Sequence, residues 1–317
     1  MEGKTAFLYA GQGSQATGMG KDFYDAYPQF REVFDSCSLD FDLKKICFDN
    51  PDNRLLQTEY TQPCMVAFAC GITEILKDRG IKPDYVCGLS LGEYSALYAA
   101  GVWSLADTMK IISARGKAMA EASRGIDASM AAVIGLSLDE VRKCCRKAKT
   151  AGIVSVCNIN SPGQIVIGGD KKAVELASSL AKENGARRII PLAVSGPFHT
   201  EYMKSAGNKL LNVLKECEFH IPEYEVIYNY LGRPKTDGEN IRDLLVMQIQ
   251  QPVHMQESIE YLIHNGTTKF IEIGPGTALS GFVKKTLKAM EIDNENYSII
   301  SINKVEDLNI TDWQIRI

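Results

Sequence analysis

Short apolar runs separated by longer amphipathic segments set the texture of this chain. Residues 5–10, 85–88, 269–273 and 298–302 are compact apolar stretches of strand length. Apolar positions at helical spacing fill most of the intervals, predicting helices over 91–100, 106–123, 200–216, 241–250 and 256–264, and one beginning at Thr277. Ser104 stands where it would cap the second of these. Residues 11–80 read as helical after the first strand, punctuated by Pro28, Pro51 and Pro63, and a further short strand is expected over 226–229. Strands alternating with helices imply an α/β fold with a parallel sheet.

From Ser129 the pattern changes. A strand (130–134), a helix (138–149), a hairpin (154–158 and 165–168) turning through Asn160-Ser161-Pro162-Gly163, a second helix (172–184) and a strand (188–192) follow in the order βαββαβ. That order is the ferredoxin-like split unit. The expected organisation is a large, discontinuous α/β unit over 1–127 and 195–317, interrupted by a small ferredoxin-like subdomain over 128–194. No internal repeat, low-complexity tract or long linker interrupts it.

Composition narrows the function. With 317 residues, 45% hydrophobic and 23% charged, the chain can bury a substantial core. A net charge of −4 with scattered Lys and Arg leaves no basic footprint for nucleic acid. The longest apolar-leaning runs, such as 63–72, fall short of the roughly 20 residues a membrane helix needs, and Met1-Glu2-Gly3-Lys4 carries no signal pattern. A cytoplasmic protein with no membrane partner is therefore expected. Its nine cysteines contain no Cys-x-x-Cys pair and read as reduced structural thiols. Four histidines, with no Cys/His cluster, suggest no metal site.

The densest chemical signal is Gly88-Leu89-Ser90-Leu91-Gly92-Glu93, between a strand and a helix. Gly-x-Ser-x-Gly in that setting is a candidate nucleophile elbow: the reversal is so sharp that side chains flanking the serine would clash, and the hydroxyl is left exposed. The same residues form a Ser-x-x-Glu capping box, which would occupy the hydroxyl or let Glu93 cap the helix instead. A nucleophilic serine needs a base. His199, in the loop Ser195-Gly196-Pro197-Phe198-His199-Thr200 where the small unit returns to the large one, is the best placed of the four histidines, although it could simply cap the next helix. His220, His254 and His264 read as surface or satisfied side chains.

Gly11-Gln12-Gly13-Ser14-Gln15-Ala16 follows the first strand and meets the loose dinucleotide-binding pattern, so an oxidoreductase enters as a rival. The second strand with its terminal acid is missing, because the region around Asp35 reads as helix. A glycine-rich loop also suits an oxyanion site. Arg115, on an otherwise apolar helix, reads from its surroundings as a partner for a structural carboxylate, the alternatives being a snorkelling side chain and a seat for a substrate anion. Gly274-Pro275-Gly276 reads as a turn opening a helix.

In order and spacing, these segments, together with Arg115-Gly116, Asn160-Ser161-Pro162-Gly163-Gln164, Gly196-Pro197-Phe198-His199 and Glu272-Ile273-Gly274-Pro275-Gly276, resemble the malonyl-CoA:acyl carrier protein transacylases of fatty-acid synthesis. The resemblance spans nearly the whole chain. It implies an α/β-hydrolase-like core with a ferredoxin-like insert and a ping-pong transfer between malonyl-CoA and an acyl carrier protein, with no cofactor. Ser90 would be the nucleophile and His199 the base; the N–H groups of Gln12 and Leu91 would form the oxyanion hole. Arg115 would grip the malonyl carboxylate, and Gln248 would match a position that helps hold the histidine through a main-chain carbonyl. Leu91 and Phe198 resemble malonyl-type pocket choices. Leu89, Tyr9-Ala10 and Met255 depart from the family's usual histidine, Phe-Pro and tryptophan. Alternatives are a trans-acting acyltransferase of polyketide synthesis, a serine thioesterase or esterase, and a non-catalytic carrier-binding protein.

Overall fold

The computed structural model describes residues 3–309; the outermost ends of the expected large unit, 1–2 and 310–317, lie outside them. The strands in chain order are β1 (Lys4–Tyr9), β2 (Tyr85–Gly88), β3 (Ala128–Ile134), β4 (Val154–Ser161), β5 (Gln164–Asp170), β6 (Arg188–Pro191), β7 (Glu225–Ile227), β8 (Val253–His254), β9 (Thr267–Ile273) and β10 (Ser298–Ile302). They form two sheets.

The first sheet has the order β10-β9-β1-β2-β7, with every neighbouring pair parallel. Helices cover both of its faces, which is why β1 and β2 are continuous apolar runs instead of alternating ones. Phe7, Tyr9 and Val86 point into a core built with the helices Thr58–Asp78, Leu105–Ala122 and Lys204–Lys215. Ala6, Leu8 and Cys87 point the other way, against Met255–His264 and Ala278–Ala289. No helix among the described residues is long and apolar enough to cross a membrane.

The second sheet has the order β6-β3-β5-β4-β8. Its first four strands are antiparallel, and with the helices Leu138–Ala148 and Lys171–Glu183 they make the βαββαβ unit. One face packs on those two helices; Met130, Ala132, Cys157 and Val166 on the other join the core of the large unit. The fold is thus α/β, a parallel-sheet core with an inserted ferredoxin-like layer. The short β8 was not foreseen: it adds to the edge of β4 through Asn158↔Val253 and Ile159↔His254, a pairing too short to leave a periodic signal. The helix expected over 200–216 is a 3₁₀ turn, Glu201–Met203, leading into Lys204–Lys215. The strand expected over 226–229 ends at Ile227.

Parallel strands deliver their following loops to one edge of the sheet. Tyr9 pairs with Gly88 and Ile273, so the Gln12 loop, Ser90 and the Gly274 turn leave the sheet side by side. The Gly274 turn is fixed by an internal acid. Glu272, buried, accepts from Leu279 N (2.9 Å) and Ser280 N (2.8 Å), filling the first turn of the helix Ala278–Ala289 with its own carboxylate. Glu272→Ala leaves two buried N–H groups without an acceptor and is expected to lower stability by about 2–4 kcal/mol; urea unfolding of the two proteins measures it.

Candidate active site

Between the end of β2 and the helix Gly92–Ala99 the chain reverses at Ser90, whose φ is 54°, in the left-handed region that costs a non-glycine residue about 1–3 kcal/mol. Contact demands both flanking glycines. A Cβ on Gly88 would lie 2.0 Å from the Gly92 carbonyl carbon, and one on Gly92 would lie 2.2 Å from Tyr9 O. The Gln12 loop packs on the same turn, since a Cβ on Gly11 would meet Leu89 O at 2.7 Å. Among the described residues, neither Gln12 N nor Leu91 N meets an acceptor.

The Ser90 hydroxyl meets two partners. Its Oγ lies 2.8 Å from His199 Nε2 and accepts from Arg115 Nη2 at 3.1 Å. His199 Nδ1 lies 2.7 Å from the carbonyl oxygen of Gln248. A carbonyl only accepts, so Nδ1 carries the proton, Nε2 presents its lone pair, and the serine O–H donates to it. The tautomer is thereby the one a general base requires. Burial, and then the nearby Arg115 guanidinium, push the His199 pKa down to about 4, so the ring is neutral at physiological pH.

Arg115 is fully buried in the helix Leu105–Ala122. Its Nη1 donates to Gln62 Oε1 (2.8 Å), its Nη2 to Gln248 Oε1 (3.1 Å), and its guanidinium lies 5.0 Å from the Tyr94 ring centre. The reading of a structural ion pair fails here: two neutral carboxamides hold the cation where a carboxylate was expected. Its Nε has no partner among the described residues. Burial lowers the arginine's pKa while Tyr94 and Glu93 oppose the shift.

The capping-box reading fails as well. Among the described residues no side chain caps the helix Gly92–Ala99, and Glu93, fully buried, turns inward to accept from Asn229 N at 2.8 Å. Burial pushes the Glu93 pKa up to about 8. Asn229 in turn accepts from Ser90 N (2.7 Å) and donates to Gly88 O (2.6 Å), while Gln248 Nε2 donates to Ser90 O (2.6 Å).

The structure therefore joins Ser90, His199, Arg115 and Gln248 in one hydrogen-bonded cluster, with Leu91 next in the chain. Gln12 is half-buried, tied through Nε2 to Thr58 Oγ1 (3.2 Å), which meets Ser195 Oγ at 2.8 Å on the loop of His199. Phe198 is buried beside His199. His199 has a φ of 59° and does not cap the next helical turn, which follows Thr200. Sequence reasoning missed Asn229, Gln62 and the inward role of Glu93; the signal for Gln62 was a carboxamide within an otherwise apolar helix face. The dinucleotide rival lacks its second strand. Asp35 lies in the helix Pro28–Ser36 and pairs with Lys44 Nζ at 2.7 Å on the surface.

An acyl transferase domain model matches residues 6–309. The chain belongs to the acyl transferase family. This acyl transferase is 42% identical to the malonyl CoA-acyl carrier protein transacylase of Bacillus subtilis (strain 168), over 96% of its own length and 98% of the relative's. The crystal structure of the transacylase of that name from Clostridium perfringens superposes with a TM-score of 0.91 at 40% identity, covering 99% of this chain and 97% of that one. A malonyl-transacylase solved in complex with a type II PKS acyl-carrier protein superposes with a TM-score of 0.90 at 36% identity, covering 96% and 98%.

A histidine whose folded pKa lies below its unfolded value binds a proton in the unfolded chain first. Between pH 6.5 and 4 the acyl transferase is expected to lose stability as pH falls, by up to about 3 kcal/mol from this group. An NMR titration of the His199 ring should show a midpoint near pH 4, moving upward in Arg115→Gln as the neighbouring cation is removed; a midpoint near 6.5 in the parent protein contradicts the buried, cation-facing ring.

Proposed function

We propose that this acyl transferase moves a malonyl group from malonyl-CoA to the phosphopantetheine thiol of an acyl carrier protein, through an ester on Ser90, supplying fatty-acid synthesis in the cytoplasm. The observation that carries the reading is Arg115: a buried guanidinium held by amides, without a carboxylate partner among the described residues, 3.1 Å from the Ser90 hydroxyl. A buried cation is stable only when paired or well hydrogen-bonded. A substrate carrying a free carboxylate next to its thioester completes the pair, and the malonyl group is such a substrate. The relatives' names agree with it, and the nine free thiols suit a reducing compartment.

In this mechanism His199 Nε2 takes the proton as Ser90 Oγ attacks the thioester carbonyl. The oxyanion that forms is met by the N–H groups of Gln12 and Leu91. As the carbonyl reforms, the C–S bond breaks and coenzyme A leaves as the thiol, taking the proton back from the imidazolium. The carrier's thiol then enters, loses its proton to His199 and attacks the malonyl ester, and the proton returns to the departing Ser90 oxygen. Gln248 orients the base through its carbonyl and the arginine through its side chain; Phe198 lines the acyl pocket next to the base. Serine, histidine and thioester suffice for each step, so no cofactor is invoked. Because one structural relative was solved with a polyketide carrier, transfer to such a carrier is the second reading.

Intact-mass measurement after mixing with malonyl-CoA is the direct test. A malonyl adduct that passes to holo carrier protein, vanishes in Ser90→Ala and forms about 10²–10⁴-fold more slowly in His199→Ala is expected. No adduct, or an adduct surviving in Ser90→Ala, overturns the assignment; an adduct lost to water as fast as to carrier indicates a hydrolase. Assays with fatty-acid and polyketide carriers side by side separate the two transfer readings. Arg115→Ala is expected to reduce the preference for malonyl-CoA over acetyl-CoA by at least about 100-fold in competition, because the bidentate charged pair is gone. An unchanged ratio removes the carboxylate clamp.

A further inference from the structure

The last ladder pair of β2 and β7 is Cys87↔Ile227, one residue before the Gly88 carbonyl and three before the Ser90 amide. Past that point β7 offers no backbone partner to the elbow, while on the other side β1 still accepts Leu89 N through Tyr9 O at 2.9 Å. The Asn229 side chain takes over: Nδ2 donates to Gly88 O at 2.6 Å and Oδ1 accepts from Ser90 N at 2.7 Å. Only a carboxamide carries donor and acceptor on one short side chain in the geometry of a peptide group; an aspartate could not donate and a serine could not span both. Asn229 is fully buried and anchored by its own backbone, donating to Glu93 Oε2 (2.8 Å) and accepting from His254 N (2.8 Å) on β8.

From this arrangement we infer that Asn229, braced by Glu93, is a positioning residue for acyl transfer: it holds the strained Ser90 peptide and withdraws the Ser90 N–H from the oxyanion site. The inference rests on Ser90 being the nucleophile. With its N–H committed to Asn229 and its C=O to Gln248, Ser90 presents only its side chain to the substrate, and the next amide, Leu91 N–H, is the elbow's free donor. A Ser90 peptide free to rotate would relax toward negative φ, carrying Oγ away from His199 and Arg115 and turning the Leu91 N–H to a new direction. Asn229 touches no substrate. Its effect should therefore fall on the rate of Ser90 loading and leave substrate affinity alone.

Single-turnover loading of Ser90 by malonyl-CoA, followed by intact mass alongside KM and thermal unfolding, tests this. Asn229→Ala is expected to slow loading by about 100-fold with KM for malonyl-CoA within threefold. Glu93→Gln keeps an oxygen acceptor for Asn229 N and should load within about threefold of the parent, whereas Glu93→Ala should fall by at least about tenfold. Should Asn229→Ala not fold, Asn229→Asp preserves shape and the acceptor but loses the donor to Gly88 O; folded, it should load at least about tenfold more slowly. Parental loading in a folded Asn229 variant, a loss confined to KM, or equal losses in Glu93→Gln and Glu93→Ala overturns the inference. A parent protein that forms no Ser90 adduct overturns the underlying assignment instead, and the two failures are read from different samples.

Discussion

Ser90 is held at a φ of 54° between a parallel strand and a helix, and hydrogen bonds with His199, Arg115, Gln248 and Asn229 converge on that one residue. Strain of this size persists only where neighbours over-determine it. Here hydrogen bonds reach the Ser90 N–H from Asn229 and the Ser90 C=O from Gln248, while glycines at 88 and 92 allow the backbones to approach. The bonds come from segments some 139 and 158 residues away in sequence, so the turn is a product of the assembled fold.

The electrostatics follow from the same cluster. Arg115 stands within hydrogen-bond reach of the Ser90 hydroxyl, and burial, reinforced by its field, keeps the His199 ring neutral, with Nε2 free to accept a proton. A carboxylate beside the guanidinium would have neutralised that field. Gln62 and Gln248 satisfy its N–H groups without cancelling its charge. Gln248 couples the parts: its backbone sets the histidine tautomer, and its side chain bridges the arginine and the Ser90 carbonyl.

Local pattern carried much of the fold. Tyr85–Gly88, Ile241–Gln250 and Ser298–Ile302 begin and end where the apolar spacing places them, and Ser104 caps its helix by accepting from Asp107 N. The two-residue β8 and the early end of β7 left no such trace, because a pairing decided by a distant edge has no period of its own. The site divides similarly. Ser90, His199, Arg115, Gln12 and Gln248 were visible through motif spacing and family resemblance, whereas Asn229 and Gln62 act through single contacts across long sequence separations. Glu93 was misread because Ser-x-x-Glu spacing suits a helix cap, and only the tertiary structure supplies the Asn229 N–H that competes for the carboxyl group.

The insertion of the ferredoxin-like layer poses a mechanical problem that the hydrogen bonds resolve. His199 is the fifth residue after the expected end of that layer at 194, so its backbone would follow any displacement of the insert. The ring is tied elsewhere: Nε2 to Ser90 after β2, and Nδ1 to Gln248 in the helix Ile241–Gln250, both in the parallel-sheet unit. With both ring nitrogens bonded to the large unit, the His199 ring is registered to Ser90. The flanking loop, with Gly196 packed on Ser123 and Ser195 bonded to Thr58, takes up the junction between the layers. The 2.8 Å between Ser90 Oγ and His199 Nε2 is thus set from the parallel-sheet side and does not depend on the placement of the inserted layer.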